Sequence, residues 1–366
     1  MEQHRRIVIK IGSSSLTNRE KLLDEYKLKA LASAVAKLFN QGWQPILVSS
    51  GAVAAGLGHL GWNCTHLTMP ERQAAAAVGQ GLLMEKYNEL FQSLGIKVGQ
   101  ILLTRADFAD RKRYLNARNT LNVLLNRHVL PIVNENDTVT FAEIRFGDND
   151  TLSALVAGLV EAELLILLTD IDGLYNGDPR KDPNAKLIPV VQHIDDSIIK
   201  LAGDSGSTVG TGGMKTKLAA ARIAARSGIR TVVASAKEPS ILSGIATGEK
   251  LGTSFEPSDH TLRSRKQWIA YGSITRGTLL IDKGAVKALT ERHKSLLAVG
   301  IIGIKGDFTA GSVVSVADEQ GVVLAKGITN LSSEDLRLVN KNTRHGLEVI
   351  NRDWLVCERG FSICQM

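Results

Sequence analysis

The chain has 366 residues, of which 44% are hydrophobic and 8 are proline. This composition excludes an intrinsically disordered protein, and the length predicts at least two domains rather than one core. The formal net charge of +7 is unevenly distributed, because residues 259–305 (the basic junction) carry nine lysines or arginines against three acidic residues. Such a segment favours contact with RNA, an acidic substrate or another subunit, and a solvated surface is the alternative.

The sequence predicts neither a membrane protein nor a disulfide-linked one. Lys10 interrupts the short apolar stretch near the start, which is too short for the apolar region of a signal peptide. The uncharged residues between Lys37 and Glu71 include many glycines and polar residues, unlike a spanning helix of about 20 apolar residues. The three cysteines form no CxxC pair and match no zinc spacing. We therefore expect a reduced, cytoplasmic protein without a structural metal.

Up to residue 255, short apolar runs alternate with amphipathic stretches, as is typical of α/β proteins with a mainly parallel sheet. Apolar residues at helical spacing predict one helix that ends before Gly42. Pro70 predicts the start of a second helix, which ends near Gly95. Six strands are predicted in this part of the chain, at residues 7–11, 45–49, 96–103, 129–133, 164–169 and 229–234.

Polar residues lie at the ends of four of these strands, at positions 10–14, 49–51, 134–137 and 169–170. In an open α/β sheet, ligands bind in the crevice at the carboxyl ends of the strands, so these segments should converge. A single polar strand end is more often a capping turn than a site. Four of them favour a binding site.

Residues 210–217 read Gly-Thr-Gly-Gly-Met-Lys-Thr-Lys and precede a stretch with helical spacing. Glycines let backbone N–H groups close on an anion, and the helix start and the lysines add positive charge. The order differs from that of a P-loop, which ends in Gly-Lys-Ser/Thr. The segment therefore predicts a phosphate site of another kind. A mobile glycine loop with solvated lysines is the alternative.

Beyond residue 255, short β runs separated by glycine replace the helical patterns, and they predict a compact, mostly β second domain. These runs are residues 277–281, 298–304, 311–316 and 322–325. We expect a first domain at 1–258, a linker at 259–274, the β domain at 275–355 and a C-terminal tail at 356–366.

Several of these segments together resemble the amino acid kinase family, and two later segments are similar to the PUA domain, a small β fold otherwise found in RNA-modifying enzymes. The kinase-like segments are residues 8–14, 48–53, 133–137, 146–150, 168–170 and 210–217. The PUA-like segments are residues 277–285 and 306–311. The resemblance implies an amino acid kinase fold, a three-layer αβα sandwich around a mainly parallel open sheet, followed by a small mostly β PUA domain.

The resemblance also implies an activity, the ATP-dependent phosphorylation of the γ-carboxylate of L-glutamate to L-glutamyl 5-phosphate, the first step of proline synthesis. A glutamate carboxylate has a pKa of about 4.3, so the nucleophile is already ionised at neutral pH and needs no general base. Direct in-line transfer without a phosphoenzyme is expected. Catalysis then depends on positioning and on positive charge, because substrate and nucleotide are both anions.

By the same resemblance, Lys10 would reach the phosphates, Lys217 would stabilise the transferring phosphoryl group, and Asp148 would lie between the two ammonium groups. Glutamate would be held by Ser50, Asn134, Asp137 and Asn149, with Asp137 facing its α-ammonium group. The nucleotide would be held by Lys10, Thr169, Asp170, Thr211, Gly212, Gly213, Met214, Lys215, Thr216 and Lys217. Mg²⁺ would be bound through the ATP phosphates, with no metal ligand assigned on the protein.

Each assignment has a structural alternative. Lys10 would then be a surface lysine, Asp148 or Asn149 would cap a helix, Asp137 would close an Asx-turn, and Lys215 would be solvated. Other functions also stay open, namely a related kinase for N-acetylglutamate or aspartate, or an RNA-binding protein that acts through the PUA-like domain. The resemblance further implies inhibition by proline and a homo-oligomer, a dimer or tetramer, with no membrane partner.

Overall fold

By spatial contacts the chain divides into two compact units. The first comprises Met1–Asp107 and Lys112–Thr261, and the second comprises Phe108–Arg111 and Leu262–Met366. The structure is a computed structural model that describes residues 5–18, 20, 22–62, 67–140, 149–179, 182–202, 213–258, 264–339 and 346–357.

An eight-stranded sheet forms the centre of the first unit. Its strands are, in spatial order, Lys97–Leu103 (β3), Val129–Glu135 (β4), Trp43–Val48 (β2), Arg5–Ile11 (β1), Leu164–Thr169 (β5), Arg230–Ser235 (β7), Thr253–Phe255 (β8) and Val190–Val191 (β6). Every neighbouring pair is parallel except β7 with β8. The expected mainly parallel sheet is thus confirmed.

The position of β1 in this sheet determines where a ligand can bind. Ile7, Val8 and Ile9 are fully buried, as expected for a central strand that is covered on both faces. The chain continues from β1 to β2 on one side, and β5 later pairs with β1 on the other side. The order of the strands therefore reverses at β1, and the crevice lies at its carboxyl end, next to Lys10.

Helices connect these strands, and several begin at recognisable capping residues. Asp24 accepts hydrogen bonds from the N–H groups of the first turn of Glu25–Asn40 (α1), and Thr68 and Glu71 form a capping box at the start of Met69–Ser93 (α3). The other helices in this part of the chain are Ala52–Leu60 (α2), Arg105–Ala109 (α4), Arg111–Asn126 (α5), Asn149–Leu159 (α6), Asp196–Leu201 (α7), Met214–Arg226 (α8) and Ile241–Thr247 (α9). Phe108–Arg111, which includes the end of α4 and the start of α5, is assigned to the second unit.

Two glycines bring α2 and α3 into contact at the level of the backbone. A methyl group at Gly56 would overlap the carbonyl oxygen of Ala75, and one at Gly79 would overlap that of Ala52. The helices can approach this closely only because neither position carries a side chain. This contact fixes the first turn of α2, which directly follows Ser50 and Gly51.

The second unit is built round a five-stranded sheet and a two-stranded one. The five strands are, in spatial order, Ile301–Lys305 (β11), Thr278–Ile281 (β9), Val313–Ala317 (β12), Val323–Ile328 (β13) and Leu355–Cys357 (β15), and the smaller sheet pairs Leu296–Leu297 (β10) with Glu348–Ile350 (β14). Its helices are Ser264–Gln267 (α10), Lys283–Thr290 (α11) and Ser333–Leu338 (α12), with a π-helical turn at Trp268–Gly272. Its core contains Leu279, Ile281, Val314 and Ile350.

The six predicted strands correspond to β1, β2, β3, β4, β5 and β7, with ends that differ by no more than two residues. The predicted β runs of the second domain correspond to β9, β11, β12 and β13. The pattern missed β6 and β8, because strands of two and three residues show no periodicity. Among the described residues, no helix has both the length and the apolar composition that a membrane span requires.

Candidate active site

Lys10 is the second-last residue of β1, and only 7% of it is exposed. A buried ammonium group needs a partner, because its transfer from water is otherwise strongly unfavourable. That partner is Asp150, whose Oδ1 lies 2.6 Å from Lys10 Nζ. Lys10 is therefore not a surface lysine in this fold.

Lys217 contacts the same carboxylate from α8. Its Nζ lies 3.2 Å from Asp150 Oδ2, and only 5% of the residue is exposed. Asp150 itself is fully buried in the first turn of α6. Two ammonium groups and one carboxylate leave one net positive charge in this lysine–aspartate cluster, which consists of Lys10, Asp150 and Lys217.

Thr216 gives Asp150 a further donor. Its Oγ1 lies 2.8 Å from Asp150 Oδ2 and 2.8 Å from the carbonyl oxygen of Gly213. Burial alone would raise the pKa of Asp150, but the charges of Lys10 and Lys217 and the hydrogen bonds to the carboxylate outweigh it and lower the pKa. Asp150 is consequently an ionised partner for the lysines and a poor proton acceptor at neutral pH.

A second network joins the residues predicted to bind a substrate. Asn149 Nδ2 lies 2.7 Å from the carbonyl oxygen of Ser49, 2.9 Å from Ser50 Oγ and 2.9 Å from Asn134 Oδ1. These residues come from the ends of β2 and β4 and from the first residue of α6. The structure therefore brings together Ser50, Asn134 and Asn149.

Behind this network lies a buried tyrosine of α3. Tyr87 is fully buried, and its hydroxyl lies 2.8 Å from Ser49 Oγ, which in turn donates to the carbonyl oxygen of Ser50. Either hydroxyl can donate in the bond between Tyr87 and Ser49. Burial raises the pKa of Tyr87, so its hydroxyl stays protonated at all physiological pH values. The strand end that carries Ser50 is thereby fixed.

Asp137 lies in the wall of a neighbouring cavity of about 310 Å³. Its wall includes residues from α2, α3, β3 and the segment after β4, among them Ala52, Gln80, Gly81, Gln100, Glu135, Asp137 and Thr138. Gln80 Oε1 accepts a hydrogen bond of 2.9 Å from Asn134 Nδ2, so the cavity adjoins the network of Asn149. Asp137 and Gln80 thus line the same cavity, and Gln80 connects this cavity to Asn134.

The predicted nucleotide residues are only partly described. Thr169 and Asp170 stand at the carboxyl end of β5, beside β1, where Thr169 Oγ1 donates to Asp170 Oδ1 over 2.9 Å. Gly213 is the N-cap of α8 and offers no side chain to the first-turn N–H groups, while Met214 is half-buried and Lys215 is exposed. Thr211, Gly212 and Asp148 lie outside the described residues.

The position between the two lysines is occupied by Asp150, whereas Asp148 is the residue predicted there. The sequence Gly147-Asp148-Asn149-Asp150 offers two aspartates in one short segment, and spacing alone does not separate them. In the first turn of α6, Asn149 and Asp150 face two different networks from adjacent positions. The sequence also did not predict Tyr87 and Gln80, since both lie within α3 and neither follows a strand in the sequence.

Three helix starts meet at this site. The segment before α2 is hydrogen-bonded to Asn149 at the start of α6, and Asp150 in the next position is hydrogen-bonded to Thr216 in the first turn of α8. Helix N-termini carry partial positive charge and free N–H donors. Together with the lysine–aspartate cluster, they make this region chemically suited to an anion, with one lysine on each side of a buried carboxylate.

Comparisons with known proteins identify the families of the two parts of the chain. Residues 5–235 match the amino acid kinase family, and residues 277–351 match the PUA domain. The chain is 50% identical over 336 residues to glutamate 5-kinase of Shewanella oneidensis, covering 92% of this chain and 90% of the relative. It is 47% identical over 366 residues to glutamate 5-kinase of Caldanaerobacter subterraneus subsp. tengcongensis, covering 97% and 98%.

Among solved structures, carbamate kinase from Giardia lamblia bound to AMP-PNP has a TM-score of 0.54 with this chain, at 17% identity. The match covers 70% of this chain and 100% of that one. At this identity the likeness shows the fold of the first unit and nothing about its substrate.

Proposed function

This chain belongs to the amino acid kinase family, and we propose that it transfers the γ-phosphoryl group of ATP to the side-chain carboxylate of L-glutamate. The product is L-glutamyl 5-phosphate, the first intermediate of proline synthesis. The proposal is supported by relatives named glutamate 5-kinase, which match it over nearly their full length. The single structural observation that carries it is the pair of buried lysines on Asp150 at the meeting point of three helix starts.

The chemistry of the substrate explains why positive charge dominates this site. The γ-carboxylate, with a pKa of about 4.3, is ionised at neutral pH and can attack phosphorus without losing a proton. Its approach to a polyanionic nucleotide is repulsive. Lys10 on β1 and Lys217 on α8 offset this repulsion, with Lys10 toward the phosphates and Lys217 toward the oxygens of the transferring group.

Asp150 is a positioning residue in this mechanism. It holds the ammonium groups of Lys10 and Lys217 at 2.6 and 3.2 Å, so that both are ordered before substrate arrives. Its lowered pKa excludes it as a general base at neutral pH. We assign it the organising role that the sequence suggested for Asp148.

The substrate side is assigned to Ser50, Asn134, Asn149 and Asp137. The first three form one hydrogen-bonded network, and Asp137 supplies a carboxylate for the α-ammonium group of glutamate. N-acetylglutamate has no such ammonium group, which favours glutamate over that substrate. Proline, the end product of the route, carries an ammonium and an α-carboxylate in the same arrangement, so we place its inhibitory site at this pocket.

The nucleotide is assigned to the end of β5 and the start of α8. Thr169 and Asp170 would contact the nucleotide, and Thr211, Gly212 and the residues from Gly213 to Lys217 would surround its phosphates. Mg²⁺ would neutralise charge on those phosphates. Among the described residues no group of three or more acidic, histidine or cysteine side chains could hold a metal ion, so we assign the ion to the ATP oxygens.

The wider proposal is a cytoplasmic enzyme that acts as an oligomer of identical chains. The second unit carries exposed cations of the basic junction, including Lys283, Lys287, Arg292 and Lys294. Contact with RNA through these residues is the alternative function. Binding of tRNA that weakens with salt, in a protein that releases no ADP in response to glutamate, would favour that alternative.

A substrate panel tests the proposal. The purified protein is incubated with ATP, Mg²⁺, hydroxylamine and one of L-glutamate, N-acetyl-L-glutamate or L-aspartate, and the acyl hydroxamate is measured. Hydroxamate should form with glutamate at a rate at least about 100-fold above the other two, since a site with buried polar partners rejects analogues that leave them unpaired. Equal rates, or a higher rate with another acid, would contradict the assignment.

The two lysines of α8 provide a matched pair of variants. Lys217→Met should lower kcat by at least about 100-fold, as expected for loss of a preorganised charge at the transition state. Lys215→Met, two residues away and exposed, should retain kcat within about 3-fold and change at most the KM for ATP. The melting temperatures of both variants serve as the folding control. Similar kcat values for the two would refute the role of Lys217.

A further inference from the structure

The orientation of the amide of Asn134 is determined by a backbone group. The N–H of Glu135 lies 2.9 Å from Asn134 Oδ1, and a backbone N–H can only donate. Oδ1 also accepts from Asn149 Nδ2, which itself points to the carbonyl oxygen of Ser49. A backbone donor at one end and a backbone acceptor at the other thus fix the direction of every bond in between.

This direction extends to Gln80. Because Oδ1 of Asn134 is taken, Nδ2 is the atom that faces Gln80, and it needs an acceptor there. Gln80 must present Oε1, at 2.9 Å. Its Nε2 is therefore turned away from Asn134, and no acceptor for it lies within hydrogen-bond distance among the described residues.

Gln80 stands in the wall of the same cavity as Asp137. The wall therefore offers two acidic groups, Glu135 and Asp137, suited to an ammonium, and one amide NH₂, that of Gln80, for which the described part of the chain supplies no acceptor. An amino acid carries its α-ammonium and α-carboxylate on a single carbon atom. A wall with an acidic acceptor and an unused donor is complementary to that pair.

We infer that Gln80 is a specificity-determining residue that donates through Nε2 to the α-carboxylate of the substrate. The inference rests on the proposed function, which requires an amino acid with a free α-carboxylate in this cavity. None of the residues assigned to the substrate above, Ser50, Asn134, Asn149 and Asp137, lies on α3. Gln80 adds a donor from α3 for the α-carboxylate, while its Oε1 keeps Asn134 in place for the rest of the substrate.

A variant that introduces a negative charge separates these two roles of Gln80. Gln80→Glu retains an oxygen that can accept from Asn134 Nδ2, but it replaces the donating NH₂ with a second carboxylate oxygen. If Gln80 only positions Asn134, this variant should behave as the wild type. If it binds the α-carboxylate, the KM for glutamate should rise by about 10- to 100-fold or more, since a hydrogen bond to a charged group is lost and a repulsion is added.

The test compares L-glutamate with L-isoglutamine, in which the α-carboxylate is replaced by an amide. The KM of glutamate and the inhibition constant of isoglutamine are measured at about pH 8 for the wild type, for Gln80→Glu and for the uncharged variant Gln80→Met. Isoglutamine can donate to the introduced carboxylate, so the preference for glutamate over isoglutamine should fall at least about 10-fold in Gln80→Glu. It should also fall in Gln80→Met, with the KM for ATP unchanged within about 2-fold.

An unchanged preference in both variants, with melting temperatures close to that of the wild type, would overturn the inference. If Gln80→Glu does not fold, the preference measured for Gln80→Met decides the question alone. Failure of the proposed function would give a different result from failure of the inference about Gln80, because the wild-type protein would then form no hydroxamate with glutamate. In that case the inference, which rests on glutamate as substrate, falls with it.

Discussion

At the scale of single residues, the carboxylate of Asp150 is asymmetric. Oδ1 has Lys10 Nζ at 2.6 Å, whereas Oδ2 is shared by Lys217 Nζ at 3.2 Å and Thr216 Oγ1 at 2.8 Å. The hydroxyl of Thr216 has one proton for two acceptors, Asp150 and the carbonyl oxygen of Gly213. Thr216 thus connects the start of α8 to the carboxylate that orders both lysines.

A positioning role for the Thr216 hydroxyl predicts the kinetics of two variants. Thr216→Val should lower kcat about 10-fold while the KM for ATP stays within about 2-fold, because a hydrogen bond to a charged group is lost. Thr216→Ser, which keeps the hydroxyl, should restore kcat. A rise in the KM for ATP with unchanged kcat would instead indicate that the side chain contacts the nucleotide.

A double-mutant cycle shows whether Thr216 acts through Asp150. The free energy of unfolding is measured at neutral pH for Thr216→Val, Asp150→Asn and the double variant. Since the hydroxyl and the carboxylate are in direct contact, the two changes should couple by about 1 kcal/mol or more. Additive changes would show that the 2.8 Å contact contributes nothing to stability.

The lowered pKa of Asp150 predicts a stability change in acid. Its pKa in the folded protein lies below the value of about 3.9 in the unfolded chain, so its contribution is present above about pH 4 and is lost as the pH falls through the folded value. The difference in unfolding free energy between the wild type and Asp150→Asn should therefore be constant from about pH 5 to 8 and shrink below about pH 4. A difference that grows in acid would contradict this assignment.

At the scale of elements, the site depends on helix N-termini and strand ends that are held in place by contacts with α3. Gly56 on α2 and Gly79 on α3 allow the two helices to meet at the backbone, and Tyr87, two turns further along α3, supports Ser49. Residues of α3 thus act on the site without belonging to a strand end. The sequence of α3, which mixes small, polar and apolar residues, did not indicate these contacts, since periodicity predicts which face of a helix is buried and not what it touches.

Two glycines of α3 predict opposite changes in stability. Gly79→Ala should destabilise the protein by about 1–3 kcal/mol or more, because the methyl group would overlap the carbonyl oxygen of Ala52. Gly81→Ala, where nothing lies within 4 Å of the added methyl, should stabilise it by about 0.5–1 kcal/mol through helix propensity. Denaturant titrations check both values. A neutral Gly79→Ala would mean that α2 and α3 can separate without cost.

At the scale of the whole molecule, the sequence indicated the class of fold and the edge of the sheet at which the site lies. Apolar runs predict the parallel strands, and the topology of the sheet brings their polar carboxyl ends together. The sequence could therefore predict Lys10, Ser50, Asn134 and Thr169 as candidate site residues. The partner of the lysines could not, because Asp148 and Asp150 are two residues apart in one short segment and only the three-dimensional contacts show that Asp150 meets both ammonium groups. Gln80 could not be predicted either, because its proposed role depends on the direction of the hydrogen bonds that link the amides of Asn149, Asn134 and Gln80, and only three-dimensional contacts show that direction.

The two units carry different kinds of chemistry. The described residues of the proposed active site lie in the first unit, whereas the exposed basic side chains of α11 and the turn after it belong to the second. The groups to which we assign the phosphoryl transfer therefore belong to the first unit. The account depends on a direct attack by a carboxylate oxygen on phosphorus.

An isotope measurement tests that attack most directly. L-glutamate labelled with ¹⁸O in its γ-carboxylate is incubated with the protein, ATP, Mg²⁺ and hydroxylamine, which attacks the acyl carbon and releases phosphate together with the oxygen that joined carbon to phosphorus. The account predicts one ¹⁸O atom in each inorganic phosphate released with the hydroxamate. Unlabelled phosphate, or phosphate released at the same rate without glutamate, would contradict it.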